Sequence, residues 1–211
     1  ILTERNIAYA GPPLNWVTMP DQFVWSFFEH TVRTTRTADA ASDTSPVFAE
    51  LSLISSHAPW TPILPVLEDW NSIGDGSVFG PWEHAGERPE DLWRDRTRIQ
   101  EAYAHSVDYA LNAMIGYAER YVDDRTLVIV LGDHQPAPLI TDDHASRAVP
   151  VHVISGDPDL VEPFVAWGFA RGTLPHPDQP PRRMDVFRDW FVHAFSRPVT
   201  QAAPSLSRDP K

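Results

Sequence analysis

Apolar residues along this chain fall into two patterns, short continuous runs and longer stretches with helical spacing. The clearest run is 127–131, which contains only Leu, Val and Ile and ends at Gly132. Because no polar residue alternates within it, the run predicts a strand covered on both faces. A second run, 46–54, is rich in Val, Phe, Leu and Ile and predicts another strand, with Pro46 as its first residue. A third strand is predicted over 149–154.

Helical spacing of the apolar residues predicts four helices. The strongest signal covers 95–122, where Ile99, Val107 and Met114 lie on one predicted face. The other three helices are predicted to start near positions 20, 158 and 184, where Pro or Asp stands at or near the first helical position. All four patterns are explained by packing alone, so the helices by themselves indicate a fold and no particular chemistry.

The order of these elements predicts an α/β fold, a mainly parallel sheet flanked by helices. Parallel strands need a crossover connection, and we expect the 95–122 helix to provide a right-handed one between strands 46–54 and 126–131. The predicted organisation is one domain over 1–197 and a tail over 198–211.

Composition narrows the classes of partner. The chain has 17 basic and 29 acidic residues and a net charge of −12, which excludes a nucleic-acid partner because phosphates require a positive footprint. The same charge disfavours a basic membrane-docking surface. The chain contains no cysteine, so neither a disulfide nor a thiolate metal site is available. No apolar run of about 18 residues is present, and a membrane anchor would have to lie outside this sequence.

Candidate chemistry follows two of the predicted strands. Asp133 and His134 come directly after the run that ends at Gly132, and His57 follows the 46–54 run. In open α/β sheets, ligands bind in the crevice outside the carboxyl ends of the strands. We therefore expect His57, Asp133 and His134 to converge on one crevice.

Each of these residues has a simpler alternative interpretation. Asp133 and His134 could form an ordinary turn in which the Asp carboxylate accepts bonds from backbone N–H groups. His57 could bond only to its own loop, and Trp60 could be loop packing rather than the wall of a substrate pocket. If the chemistry is real, a carboxylate beside an imidazole suits Zn²⁺ or Mn²⁺. His57 would then bind a substrate oxyanion or protonate a leaving group.

Three segments together resemble the second half of the alkaline phosphatase and sulfatase superfamily. They are Ser56-His57-Ala58-Pro59-Trp60, the long helix around 103–110, and the strand that ends in Gly132-Asp133-His134. The likeness covers roughly 45–155 and is closest to the sulfatase-like branch that includes lipoteichoic acid synthases and phosphoethanolamine transferases.

This resemblance implies a partial alkaline phosphatase-like fold and a divalent metal site. Asp133 and His134 would be metal ligands, and His57 would contact the substrate phosphate or a second metal. His144 corresponds to a further His that the family often places after the Gly-Asp-His segment. The implied metal is Zn or Mn, with Mg or Ca as alternatives.

The chain departs from the family pattern before residue 45, where the catalytic Thr or Ser and an acidic ligand have no counterpart. We therefore expect the carboxyl-terminal part of a longer, extracytoplasmic and membrane-anchored protein. This part alone should bind metal weakly and be inactive. A missing first strand should also leave an unpaired sheet edge, which favours self-association.

Three functions remain open at this point. The first is a metal-dependent hydrolase or transferase that acts on phosphate or sulfate esters. The second is a degenerate member of the family that serves binding or cell-envelope interaction without catalysis. The third is a metal-independent α/β binding module in which Asp133 and His134 are turn residues.

Overall fold

The computed structural model describes residues 2–3, 5–34, 46–141, 145–176 and 178–196. The chain divides between Pro158 and Asp159 into two compact units. Two features predicted from the sequence, His144 and the tail over 198–211, lie outside the described residues. Within the described ranges, no helix combines the length and the apolar character that crossing a bilayer requires.

The described residues of the first unit form three α-helices and one small sheet. The helices are α1 (Asp21–Phe27), α2 (Pro89–Leu92) and α3 (Arg96–Tyr121). A π-helical segment, Phe28–Arg33, continues α1. Short 3₁₀ turns cover Trp70–Ser72 and Ser77–Trp82. The strands are β1 (Leu127–Leu131) and β2 (Val151–Ser155).

The long helix predicted over 95–122 is confirmed as α3. The residues at its two ends explain where it begins and where it stops. Asp95 is its N-cap, and its Oδ1 accepts hydrogen bonds from the backbone N–H groups of Thr97 (2.9 Å) and Arg98 (3.2 Å). These bonds satisfy two of the amides that have no partner inside a helix. At the other end Val122 takes an extended conformation and stops the helix.

The core of the first unit lies between α1 and α3. Phe23 and Ala113 are almost completely buried there, and the ring of Trp25 stacks on that of Tyr117 with centroids 4.4 Å apart. The Tyr117 hydroxyl donates a 3.0 Å hydrogen bond to buried Glu29. Burial raises the pKa of Tyr117, so the hydroxyl keeps the proton that it donates.

The sheet differs from the predicted arrangement. β1 and β2 pair antiparallel, with Ile129 opposite Val153, so the prediction that these two strands run parallel is wrong. The described part of the connection contains no helix. A parallel pair needs a long crossover, whereas a loop suffices to return the chain antiparallel.

The strand predicted over 46–54 is also absent, since these residues form no ladder with any described strand. They have no regular secondary structure, and only some of their apolar side chains, such as Leu53 and Ile54, pack on the core, whereas Phe48 is exposed. Strand preference in a sequence reflects packing on a sheet, and here no neighbouring strand supplies one. The α/β class with a mainly parallel sheet stays a prediction, because one two-stranded sheet is too little to decide it.

The second unit contains α4 (Pro158–Ala166) except its first residue, a 3₁₀ turn (Met184–Val186) and α5 (Phe187–Phe195). Both helices were predicted from the sequence. Phe164 of α4 is fully buried among aromatic rings, with the Trp190 centroid 5.0 Å and the Phe195 centroid 5.7 Å away. Trp167 stacks on Trp190 at 4.0 Å with the ring planes 8° apart. Aromatic contacts therefore hold this small unit together.

We predict that Phe164→Ala unfolds or strongly destabilises the second unit. Removing a buried Phe leaves a cavity and typically costs about 3–5 kcal/mol. Urea titration followed by the circular-dichroism couplet of the stacked Trp167 and Trp190 should show the loss. Val192→Ala is the control, because Val192 lies on α5, which supplies rings to the cluster around Phe164, but its side chain is 54% exposed. A similar urea midpoint for the two variants would contradict this account.

Candidate functional site

His57 lies on an exposed turn that begins beside the core. Its ring stacks on Trp16 with centroids 5.6 Å apart, and its Nδ1 lies 2.8 Å from the carbonyl oxygen of Ala58. A carbonyl oxygen can only accept, so Nδ1 must carry the proton. This tautomer leaves the lone pair of Nε2 for a proton, a substrate group or a metal. The alternative interpretation, a His bonded to its own loop, accounts for Nδ1 only.

Asp133 and His134 form a second turn directly after β1. The Asp133 Oδ1 accepts a 2.8 Å bond from the His134 backbone N–H, and the His134 Nδ1 donates to the Gln135 carbonyl at 2.7 Å. These bonds leave Asp133 Oδ2 and His134 Nε2 3.5 Å apart, on side chains that are 88% and 74% exposed. The turn interpretation therefore accounts for Asp133 Oδ1. It does not account for Asp133 Oδ2 or His134 Nε2, and both of these atoms could bind a metal ion.

The separation of these two atoms fits a shared cation. Two ligands that each lie about 2.1 Å from a tetrahedral ion are about 3.4 Å apart. With the proton on Nδ1, the Nε2 atom of His134 presents a lone pair toward the carboxylate oxygen of Asp133. Oxygen and imidazole nitrogen suit Zn²⁺ or Mn²⁺, and the donor set fits Mg²⁺ or Ca²⁺ less well because those ions prefer oxygen alone.

A small hydrophobic cluster connects the two turns. Its buried members are Trp60, Leu92 and Ile99, and Ala58, Leu139 and Ile140 are among the residues that pack against them. We call this group the Trp60 cluster. Ala58 immediately follows His57, and Leu139 and Ile140 lie a few residues beyond His134. The chain on either side of the candidate chemistry is therefore packed on the same cluster.

Polar contacts from the start of α3 reinforce this arrangement. Arg96 Nε and Gln100 Nε2 donate to the Leu139 carbonyl at 3.1 and 3.3 Å, and Gln100 Nε2 also donates to the Ile140 carbonyl at 3.2 Å. Arg96 belongs to the first turn of the helix, so these bonds fix the 137–141 loop to a rigid element. The loop in turn limits where the Asp133 and His134 side chains can go.

Trp60 stabilises the 56–60 turn by packing and by hydrogen bonds. It is 7% exposed, its Nε1 donates to the Ser56 carbonyl at 2.9 Å, and its ring stacks on Trp93 at 5.4 Å. Trp93 Nε1 donates in turn to the Pro59 carbonyl at 3.3 Å. Each bond closes part of the 56–60 turn, so the structure places Trp60 in the position that the packing interpretation expects.

Asp21 fixes the backbone at residues 54–55, just before the 56–60 turn. This role could not be predicted from the sequence. Its Oδ1 accepts bonds from the backbone N–H groups of Ile54 and Ser55, both at 2.9 Å, and Ser55 Oγ accepts from the Asp21 N–H at 2.9 Å. Asp21 is completely buried. Desolvation raises the pKa of its carboxyl group, and the bonds from Ser55 and Ile54 offset this only in part. The only signal in the sequence was an Asp at the start of a helix.

Among the described residues, no cluster of three or more His, Asp or Glu side chains could hold a metal ion. Asp133 and His134 thus contribute two ligands. The third candidate from the sequence, His144, lies outside the described residues.

A groove of the first unit lies elsewhere. It has a volume of about 710 Å³ and runs between the 63–68 segment and residues 105–120 of α3. Glu68, Asp108 and Glu119 are among its lining residues, whereas His57, Asp133 and His134 are not. Asp133 and His134 therefore lie outside this groove, on side chains that are exposed to solvent. Only the chemistry of their atoms, and no concave pocket, supports a site there.

Comparison of the chain with protein-family models, with curated proteins and with solved structures finds no match. The resemblance to the alkaline phosphatase and sulfatase superfamily accordingly stays an expectation that rests on the residues themselves.

We predict that Asp21→Asn changes how stability depends on pH. A raised pKa means that the folded chain binds the proton more tightly than the unfolded chain. The contribution of Asp21 is therefore fully present below its ordinary pKa of 3.8 and is lost as pH rises toward the higher folded value. Asn accepts the same two backbone bonds but does not titrate, so the variant should lose a slope of up to about 1.4 kcal/mol per pH unit in this window.

Urea unfolding at a series of pH values measures the difference between the variant and the parent chain. The difference should grow in favour of Asp21→Asn as pH rises above 3.8. Asp124→Asn removes an exposed carboxyl group away from the 54–55 turn and should follow the parent curve. Parallel curves for Asp21→Asn and the parent chain would show that Asp21 has no shifted equilibrium.

We also predict that Trp60→Ala loosens the loop after His134. Loss of a buried Trp typically costs about 3–5 kcal/mol, and here it removes the packing surface of Leu139 and Ile140. Amide hydrogen exchange should accelerate over 137–141 as well as over 56–60. Trp16→Ala is the control, because Trp16 stacks on His57 but is 62% exposed. Faster exchange over 56–60 alone would mean that the cluster does not couple the two turns.

Proposed function

We propose that this chain is the carboxyl-terminal part of a metal-dependent hydrolase or transferase that acts on phosphate or sulfate esters. One observation carries the proposal. Asp133 Oδ2 and His134 Nε2 lie 3.5 Å apart, exposed, with no other hydrogen-bonding role in the described structure. An ordinary turn would not require two adjacent ligand-type atoms with this separation and this tautomer.

Each residue has a defined task in the proposed reaction. Asp133 and His134 would hold a divalent ion, Zn or Mn, which supplies stabilisation of the charge that develops on a phosphoryl or sulfuryl oxygen. His57 is exposed on its own turn, and its Nε2, in the protonated form of the ring, would donate to a substrate oxyanion or to the leaving alkoxide. Trp60 maintains the turn that presents His57.

The proposed reaction also requires a further metal ligand and a nucleophile. A catalytic metal usually has about three protein ligands, and a covalent mechanism needs a nucleophile. The resemblance implies that both come from upstream sequence in an extracytoplasmic, membrane-anchored protein. The 211-residue chain should accordingly bind the metal weakly and turn over no ester.

One observation favours a second candidate, a degenerate domain that binds without catalysis. The ligand pair lies on an open surface, whereas the groove lined by Glu68, Asp108 and Glu119 is at a different place. Catalytic sites are normally concave because water must be excluded from the reacting groups. The two candidates differ in what happens when upstream sequence is restored.

We predict that isothermal titration of the 211-residue chain with Zn²⁺ or Mn²⁺ gives weak binding that Asp133→Ala abolishes. Asp108→Ala removes a comparable exposed carboxylate from α3 and should leave binding unchanged. Simple phosphate and sulfate esters should not be hydrolysed by this chain. Addition of the upstream segment should raise metal affinity and produce turnover together, and Asp133→Ala should then abolish both.

The alternatives give different results in the same assays. Metal affinity that rises without turnover would favour the degenerate binding domain. Metal binding unaffected by Asp133→Ala, or ester turnover by the 211-residue chain that survives this substitution, would place the site elsewhere and end the proposal.

A further inference from the structure

The outer edge of β1 has no backbone partner within the described residues. β1 pairs with β2 on one side only, and the backbone of Leu127–Leu131 forms no hydrogen bond with any other described segment. An unpaired edge presents a row of N–H and C=O groups that can accept another strand. The strand contains no Pro and no charged residue, the features with which edge strands usually prevent such pairing.

The sequence of β1 indicates which strand fits this edge. Leu127-Val128-Ile129-Val130-Leu131 has the same order of residue types in both directions. We propose that the free edge of β1 pairs antiparallel with the same edge of a second copy of this chain, about a two-fold axis at Ile129. In this register Leu meets Leu, Val meets Val and Ile129 meets Ile129 of the partner copy. Every cross-strand pair is then apolar and matched in size.

The two faces of β1 are consistent with such a pairing. Val128 and Val130 point to the core of the first unit, where they pack with Ile154. Leu127, Ile129 and Leu131 alternate with them and therefore line the opposite face. None of these three belongs to a hydrophobic cluster of the described residues, and Leu131 is 49% exposed. A second copy would extend this apolar face into a four-stranded sheet.

Charges at the strand ends support the same register. Arg125 and Asp133 each lie four residues from Ile129, so the two-fold axis brings Arg125 of one copy next to Asp133 of the partner copy. Both side chains are available, at 86% and 88% exposed. Within the described chain Arg125 pairs with Asp123 at 3.7 Å, which is long for an ion pair. Two such ion pairs would form in each dimer.

The net charge of the chain sets the strength of this association. Each copy carries a charge of −12, so two copies repel one another through the solvent. Salt screens this repulsion over distances of about 10 Å at 0.1 M ionic strength. The pairing of five residues per strand is also a small interface. We therefore expect a weak dimer that becomes stronger as salt increases.

The outer edge of β2 fits a second copy less well. A two-fold axis at Val153 would place His152 opposite Ile154, so a polar ring would face an apolar side chain. The proposal accordingly commits to β1.

Disulfide trapping tests the register, because the chain has no cysteine of its own. Residues that meet on the two-fold axis of an antiparallel pair have Cα atoms about 4.5–5.5 Å apart, within the range of a disulfide. Ile129→Cys should form a covalent dimer under mild oxidation. Val153→Cys is the matched control, because Val153 is directly opposite Ile129 in the β1–β2 pair and lies on the same face. It should remain monomeric.

Charge reversal tests the strand ends by sedimentation velocity, in buffer with EDTA so that no metal occupies Asp133 and His134. Arg125→Asp and Asp133→Arg should each raise the dimer dissociation constant by about fivefold, the effect of two exposed ion pairs. The double variant should restore it. The EDTA also separates this test from the metal titration, since the dimer requires no metal.

Three results would overturn the proposal. They are a monomer at all concentrations and salt levels, equal trapping of Ile129→Cys and Val153→Cys, and a double charge variant no better than the single ones. A monomeric chain would mean that the edge is filled by another segment or by none.

Discussion

The position of His57 depends on one buried carboxyl group. Asp21 starts α1 and accepts the backbone N–H groups of Ile54 and Ser55 with a single oxygen, while Ser55 Oγ accepts from the Asp21 N–H. This reciprocal arrangement satisfies backbone groups that would otherwise be buried without partners. The chain leaves Ser55 in a fixed direction and reaches His57 two residues later. Without the Asp21 carboxyl group, one hydrogen bond would still join the 54–55 turn to α1 among the described residues, the bond from the backbone N–H of residue 21 to Ser55 Oγ.

The Trp60 cluster completes what Asp21 begins. It packs the 56–60 turn and the 137–141 loop against the start of α3, and Gln100 donates to two carbonyl groups of that loop. The three segments are far apart in sequence, so the positions of the two turns with the candidate ligands depend on long-range packing contacts in this cluster. A short helix, α2, contributes Leu92 to the cluster. The site is consequently assembled by side-chain packing.

Local patterns predicted the local structure of this chain well. The α3 helix and the position of β1 follow from the spacing of apolar residues, since period and composition are properties of a short window. The pairing of strands was predicted wrongly. Antiparallel and parallel arrangements use the same apolar runs, and only the length and content of the connection separate them. The 46–54 run was predicted as a strand for a different reason. Its apolar residues resemble those of a strand, but they pack on the core without pairing with another strand.

For the candidate site too, the local features could be predicted from the sequence and the long-range contacts could not. That Asp133 and His134 follow a strand could be predicted, because Gly132 ends an apolar run. That Asp21 and Gln100 hold the surrounding loops could not be predicted, because a hydrogen bond between residues more than 30 positions apart leaves no mark on local sequence. The sequence also suggested that the two turns meet because parallel strands end at one edge. In the structure they share the Trp60 cluster instead.

β1 joins the two proposals through Asp133. The run 127–131 has the composition of a strand covered on both faces, yet β1 pairs on one edge only within the described residues, and Leu131 at its end is 49% exposed. Asp133 and His134 follow directly after this exposed end. Asp133 cannot hold a metal ion and pair with Arg125 of a partner copy at full strength at once. By thermodynamic linkage each event must therefore weaken the other by the same factor, whichever occurs first.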